Sequence, residues 1–299
     1  MGSRVLSTSF GINRDAFSLL DWASFVGISL IWGSSFLLIA IGLESLEPGL
    51  ITWLRIVFGT IALALFPRAR ARIEPGDRAR LVVLSFVWVA VPFTLFPLAQ
   101  QYINSAVTGI LNGGTPIFAA IVATVLLRHL PRGAQLAGLG VGFGGVALVS
   151  LARGSVGDVQ ALGVVLAVGA TICYGLAINL AVPIQQRYGS VPVMAQMLLL
   201  ASVWTAPMGI VGLFNSSFEW RPVLAVSLLG FVGTGLAFLV MATLVGRVGS
   251  TRAASSTYLI PVVATILGVV ILGDDVVAFE IAGIGLVVAG AMLASRRDR

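Results

Sequence analysis

The sequence predicts an all-α integral membrane protein: ten transmembrane helices arranged as two inverted five-helix repeats, with both termini cytoplasmic. Three observations predict it. Of 299 residues, 58% are hydrophobic and only 10% charged, with mean hydropathy +1.03, whereas soluble domains carry roughly 25% charged residues. The apolar residues gather into runs of about 20, the length that crosses a hydrocarbon core of roughly 30 Å. Residues 105–150 also align on residues 250–295 without a gap, at a constant offset of 145.

Taken in order, residues 1–20 form a short polar cytoplasmic tail. Span 1 (21–43) opens on Asp21-Trp22 and runs through LIWGSSFLLIAIGL, too long an apolar stretch for a cleaved signal peptide. Span 2 (48–67) carries Pro48 and Arg55, and span 3 (80–100) follows an arginine-rich loop and ends at Gln100-Gln101. Span 4 (104–127) contains Pro116 near its centre, and span 5 (133–151) is rich in glycine. Span 6 (160–182) contains Cys173-Tyr174-Gly175, and spans 7 (190–214) and 8 (222–245) are plain apolar runs. Span 9 (250–272) has Pro261 near its centre and span 10 (275–294) leads to the tail 296–299. The two repeats accordingly cover residues 21–152 and 158–295.

Arginine placement orients the chain. All eighteen basic residues are arginine. Fifteen fall in the tails and alternate loops: Arg4, Arg14, Arg68, Arg70, Arg72, Arg78, Arg80, Arg128, Arg132, Arg187, Arg247, Arg252, Arg296, Arg297 and Arg299. The opposite loops hold Arg153 and Arg221, beside Glu44, Glu47, Asp158, Glu219, Asp274 and Asp275. Basic loops stay in the cytoplasm, so the net charge of +6 reads as a topology signal and not as a nucleic-acid footprint.

Within the aligned segments, 12 of 46 positions are identical, including Pro116/Pro261, Gly138/Gly283, Gly140/Gly285 and Gly145/Gly290. The openings of the halves also correspond, Ile31-Trp32-Gly33 against Cys173-Tyr174-Gly175. A unit with an odd number of helices enters the membrane from the other side on its second copy. Inverted repeats are an architecture of secondary transporters, which bind substrate near the midplane between the halves.

Composition excludes several chemistries. The absence of lysine removes a P-loop lysine and a Schiff-base lysine. His129 and Cys173 are the single histidine and cysteine, so no His/Cys metal cluster and no intrachain disulfide is expected. Neither catalytic residues, cofactor nor metal is expected, and an intramembrane enzyme lacks its paired carboxylates or Ser/His dyad. A channel would call for charged rings or filter loops, and a membrane sensor for a soluble domain.

WGSSF in span 1, Pro48 followed by Arg55 in span 2, and two blocks of the form P-x-x-A…G-x-G in spans 4–5 and 9–10 resemble the drug/metabolite transporter superfamily, specifically its ten-helix EamA-type members. Within that group the chain is similar to bacterial exporters of aromatic and other neutral amino acids, the YddG type. The resemblance implies export, a monomer in the bacterial inner membrane, and a small-molecule substrate. Departures are His129 and Asp274, where the family often carries glutamate, and Gln196 and Leu199 of span 7, which give Arg55 no basic counterpart.

Pro116 and Pro261 would free the carbonyls of Asn112 and Thr257 and bend spans 4 and 9, either beside a central cavity or as packing kinks. Trp32 and Tyr174 sit too deep for interfacial anchors and either wall an amphipathic site or pack. Polar candidates for substrate contact are Asn112, Tyr258, Thr115, Ser255, Ser35, Asn179 and Gln100, against the alternative that they bond backbone or join helices. Arg55, roughly 10 Å below the outer end of span 2 at ~1.5 Å per residue, either meets a substrate carboxylate or snorkels to Glu44 or Glu47. The glycines of span 5 read as close helix packing. With no acidic residue deep in a span and no Walker motif, the expected cargo is a small amphipathic solute without net charge, moved down its own gradient or with weak coupling to the membrane potential.

Overall fold

Local capping chemistry sets where the helices start. The computed structural model describes residues 18–127, 133–154, 158–248, 253 and 255–294. Helix α1 (Leu19–Gly42) begins at Ser18, whose hydroxyl accepts from the Asp21 amide while the Asp21 carboxylate accepts from the Ser18 amide, a capping box. Helix α2 (Pro48–Ala64) begins on a proline, whose missing N–H is no loss in a first turn. The arginine-rich loop folds into two 3₁₀ turns, Pro67–Arg70 and Pro75–Asp77.

Helix α3 comprises Arg78–Leu84, a π turn over Ser85–Ala90, and Val91–Ala99. Helix α4 is broken into Ser105–Asn112 and Thr115–Leu127. Then come α5 (Gly133–Gly154), α6 (Asp158–Tyr188) and α7 (Ser190–Asn215). Helix α8 comprises Trp220–Gly230, a π turn over Phe231–Leu236, and Ala237–Val248. Helix α9 comprises a 3₁₀ turn Ser255–Leu259, Ile260–Leu267 and a π turn Gly268–Leu272, and α10 is Ala278–Ala294. No strand occurs among the described residues.

The fold is therefore all-helical. Among the described residues, five stretches are long and apolar enough to cross a membrane: Leu19–Gly42, Pro75–Ala99, Gln160–Tyr188, Ser190–Asn215 and Trp220–Leu244. Pro48–Ala64, Leu136–Leu148, Ser256–Leu272 and Ala278–Gly290 are shorter apolar helices. Among the described residues, helix boundaries follow the sequence expectation closely except in α6, which runs on to Tyr188 where the apolar run suggests an end at 182; the start expected for span 9, at 250, lies outside the described residues. The polar extension is held from outside the helix: Arg187 pairs with Glu74 at 2.6 Å and with Asp77 at 2.9 Å.

Small residues decide which helices touch. Helix α2 packs on α7, α4 on α9, and α5 on α10; α1 packs on α8 and α9, as α6 does on α3 and α4. Exchanging α1–α5 for α6–α10 maps this set of pairings onto itself. The equivalence reaches single residues. A Cβ placed on Gly33 of α1 would lie 2.5 Å from Val263 of α9, and one on Gly175 of α6 would lie 2.8 Å from Phe118 of α4. Val263 and Phe118 stand exactly 145 residues apart. The Trp-Gly and Tyr-Gly pairs thus mark two matching helix crossings. In α5 and α10, Gly142 abuts Gly290, and Gly145 meets Gly283 and Val287.

Candidate functional site

Near the centre of the bundle, side chains from both halves meet around Arg55. The residue is 6% exposed. Its guanidinium lies 3.7 Å over the Phe93 ring, and its Nε donates to the Thr234 hydroxyl at 3.1 Å. Two chains of rings pack nearby: Trp32 to Phe238 to Trp88, at 5.8 and 6.4 Å between centroids, and Phe36 to Phe96 to Tyr174, at 5.4 and 5.7 Å; Trp88, Tyr174 and Phe238 pack against the apolar cluster that contains Phe93. All four contacts are edge-on or tilted, as ring quadrupoles favour.

Arg55 does not reach Glu44 or Glu47. Glu44 is held by Arg221 at 2.8 and 2.9 Å, and the guanidinium of Arg55 turns inward instead of snorkelling. The reason is local: Phe93 supplies a π face and Thr234 an acceptor, whereas the loop carboxylates lie about two turns above along α2.

Two π turns position this centre. They span Ser85–Ala90 and Phe231–Leu236, six residues each, 146 positions apart. Trp88 and Thr234 are the fourth residue of their respective turns. In the second, the Thr234 hydroxyl donates to Leu229 O at 3.2 Å, which leaves its oxygen free to accept from Arg55. Glycines let α2 and α8 approach: a Cβ on Gly230 would stand 2.9 Å from Arg55 O, and one on Gly59 would stand 2.8 Å from Thr234. Trp88, Phe93, Thr234 and Phe238 are not legible as site residues in the sequence. Aligning SFVWVA with FVGTGL shows no identity in that register, so the shared π geometry is the signal.

The remaining predicted residues are distributed more widely. Trp32 and Tyr174 pack against one apolar cluster, and Tyr174 also packs against the cluster that contains Phe93, the ring under Arg55. Ser35 is buried and its hydroxyl bonds Ile31 O at 3.3 Å within its own helix. Asn179 ties α6 to α4, donating to Ala119 O and Gly175 O at 2.9 Å each. Asn112 and Thr115 flank the break in α4: the Thr115 hydroxyl donates to Asn112 O at 2.7 Å, satisfying the carbonyl that Pro116 leaves without a donor. Pro261 is buried where α9 crosses α4 and abuts Gly113. Tyr258 is half-buried in the 3₁₀ turn preceding Pro261. The side chain of Ser255, like His129 and Arg252, lies outside the described residues.

Gln100 sits elsewhere, at the end of α3, beside an open cleft of about 770 Å³ that also includes Glu44, Ser45, Glu47, Gln101 and Asn215. Both amide atoms of Gln100, and Ser45 Oγ, are buried without a hydrogen-bond partner. Asp274 is neither deep nor idle: its carboxylate accepts from Ser105 Oγ at 2.6 Å and Ala106 N at 3.0 Å, capping α4. Glu280, which the sequence reading passes over, is fully buried and accepts from Val277 N at 2.9 Å in the first turn of α10. Among the described residues no three His, Cys, Asp or Glu side chains gather into a metal-binding group.

Comparison with known proteins bears on this arrangement. The profile of the EamA-like transporter family matches twice, over residues 22–151 and 161–296. The chain is 25% identical over 281 residues to a protein of Streptantibioticus cattleyicolor named "Probable terminal-alkyne amino-acid exporter", covering 92% of this chain and 93% of that one. An uncharacterized transporter of Archaeoglobus fulgidus is 22% identical, with 89% and 95% covered. The uncharacterized transporter YvbV of Bacillus subtilis is 24% identical, with 90% of each covered. A solved crystal structure, 20% identical, superposes with a TM-score of 0.63 over 93% of this chain and 97% of the other, and shows the same fold.

Proposed function

Because the chain belongs to the EamA-like transporter family, we propose that it exports small neutral amphipathic metabolites, with aromatic and other neutral amino acids as the leading class. In this reading ten spans form two inverted five-helix repeats in the bacterial inner membrane, both termini are cytoplasmic, and the protein works as a monomer without ATP. Cargo passes by alternating access, the two halves rocking about a midplane site. The two family matches, the self-mapping helix pairings and the arginine asymmetry support the topology. The name of the Streptantibioticus relative supports the amino-acid class.

One observation carries the assignment of the site: Arg55 of the first half, lying over Phe93, is bonded to Thr234 of the second, and Trp88, Tyr174 and Phe238 pack against the apolar cluster that contains Phe93, with Trp32 edge-on to Phe238. Rings offer apolar surface to a side chain, and a few polar atoms fix its orientation. Asn112, Thr115, Ser35, Asn179, Tyr258 and Ser255 serve in this reading as the surrounding polar frame, and Pro116 and Pro261 as the bends that the frame turns on. Gln100 lies on the exit path, beside the open cleft.

The test is flux of labelled amino acids, sugars and organic cations through purified protein in sealed proteoliposomes. Saturable movement of aromatic amino acids is expected, reduced at least severalfold by Trp32→Ala or Tyr174→Leu in protein that still elutes as a single folded species. Saturable flux confined to sugars or cations would remove the amino-acid assignment. Uphill movement only under an imposed proton gradient would remove the gradient-driven mechanism.

A further inference from the structure

We infer that Arg55 is a carboxylate-binding residue and that the cargo carries an anionic carboxylate beside its apolar group. The inference rests on the transporter reading and sharpens it by naming the group the site recognises. A guanidinium stays charged at any accessible pH. Burying one is costly, and natural chains normally offset the cost with a carboxylate. Here no carboxylate of the described chain does so. Asp21, Glu44, Glu74 and Asp77 are paired with arginines other than Arg55.

What the guanidinium does have is a platform and a tether. Phe93 covers one face, and Thr234 takes only the Nε hydrogen. The two amino nitrogens make no hydrogen bond with the described chain, and they are not among the sealed polar atoms, so they retain contact with open space. Four N–H donors in one plane are thereby left in the fork that matches two carboxylate oxygens.

The tether is built by the π turn. Thr234 sits in that turn, donates its hydroxyl to Leu229 O of the preceding helix turn, and accepts from Arg55 Nε on the same oxygen. Thr234 is thus a positioning residue, and it belongs to the opposite half of the chain. A carboxylate on the fork would lie at the seam between the halves, with aromatic surface from Tyr174 and Phe238, which pack against the cluster that contains Phe93, available for the remainder of the molecule. A single arginine suits one carboxylate better than a phosphate, which would call for more positive charge.

The experiment compares matched solutes that differ only at the carboxyl group: phenylalanine, phenylalaninamide and phenethylamine, with leucine and leucinamide as a second series. Binding to the detergent-solubilised full chain is read by thermal shift and intrinsic fluorescence, and transport is read separately in proteoliposomes. The wild type is expected to bind each acid about 10–100-fold more tightly than its amide, the range for a charge-assisted hydrogen-bond pair. Arg55→Gln should bring the acid down to the level of the amide. Arg55→Lys should recover part of the difference, and Thr234→Val should raise KM for the acid more than it lowers the maximal rate. Equal wild-type affinity for acid and amide, or an acid preference that survives in Arg55→Gln, overturns the inference. So does absence of acid binding in both series. Because the wild-type comparison needs no variant, poor folding of Arg55→Gln does not protect the inference. Carboxylate preference in binding with no flux of any solute would instead sink the transporter reading and leave the role of Arg55 standing.

Discussion

Pro116 lacks the N–H that would have bonded Asn112 O, and the hydroxyl of Thr115 fills that place at 2.7 Å. Removing the hydroxyl in Thr115→Val should cost about 1 kcal/mol, the usual net value of one hydrogen bond, and Thr115→Ser should restore it; thermal unfolding in detergent reads both. Asn104 is a second local device, its side chain accepting from Val107 N at 2.9 Å to cap α4. Asn104→Ala should lower stability by about 0.5–2 kcal/mol, and Asn104→Ser should not. Both roles concern neighbours within a few residues. The proline and the freed carbonyl at Asn112 were legible in the sequence for that reason, while the donor that satisfies the carbonyl was not singled out. Arg55 is the contrary case: its depth in α2 was legible, but the choice between a loop carboxylate and an inward partner depended on Thr234, 179 residues away.

Glycines in α5 and α10 look alike in sequence and differ in consequence. Gly142 and Gly290 are backbone-to-backbone contacts, whereas Gly140, Gly144 and Gly285 have nothing within 4 Å of a Cβ position. Gly290→Leu should force the two helices apart and abolish recovery of monodisperse protein. Gly144→Ala should instead raise stability by roughly 0.5–1 kcal/mol through backbone entropy. Comparative size-exclusion and melting profiles of the two variants would show the contrast. The glycine-rich composition correctly suggests close packing, but a stripe of glycines does not say which of them face a partner. The π turns are a second feature of this scale. Each adds a residue to one turn of helix, which rotates everything beyond it by roughly 100° at 3.6 residues per turn. No composition marks that insertion, and Thr234, which bonds Arg55, lies within one of these turns.

Across the molecule, the ion pairs between described residues each join an acidic side chain of the first half to an arginine of the second: Asp21 to Arg247, Glu74 and Asp77 to Arg187, and Glu44 to Arg221. Asp21 is fully buried and Arg247 meets it at 2.5 Å. This lock and the Arg187 pairs stand at the arginine-rich end of the bundle. The Glu44–Arg221 pair stands at the other end, beside the open cleft. If the halves rock, the Asp21–Arg247 contact has to part in each cycle. Linking Asp21→Cys to Arg247→Cys with a short thiol cross-linker, in a Cys173→Ala background, should stop flux while leaving substrate binding intact. Continued flux in the fully linked protein would show that this end does not open. Glu44→Gln, by contrast, removes an exposed pair and should shift stability by no more than about 1 kcal/mol.

Composition and apolar run length by themselves determined that this is an all-helical protein suited to a membrane, with helices starting and ending close to the positions read from the chain and with breaks in α4 and α9 next to their prolines. Those properties follow from the solvent each residue prefers and from bonding within a turn or two, so a linear string carries them. The candidate site was only partly legible: Trp32, Tyr174 and Arg55 stood out, but the contacts of Arg55 with Phe93 and Thr234, and of Trp32 with Phe238, were decided by the tertiary structure. Side-chain partners depend on which helix faces abut. Here that is set by glycine contacts between distant segments and by the rotation that each π turn imposes, neither of which is written in the residues nearby.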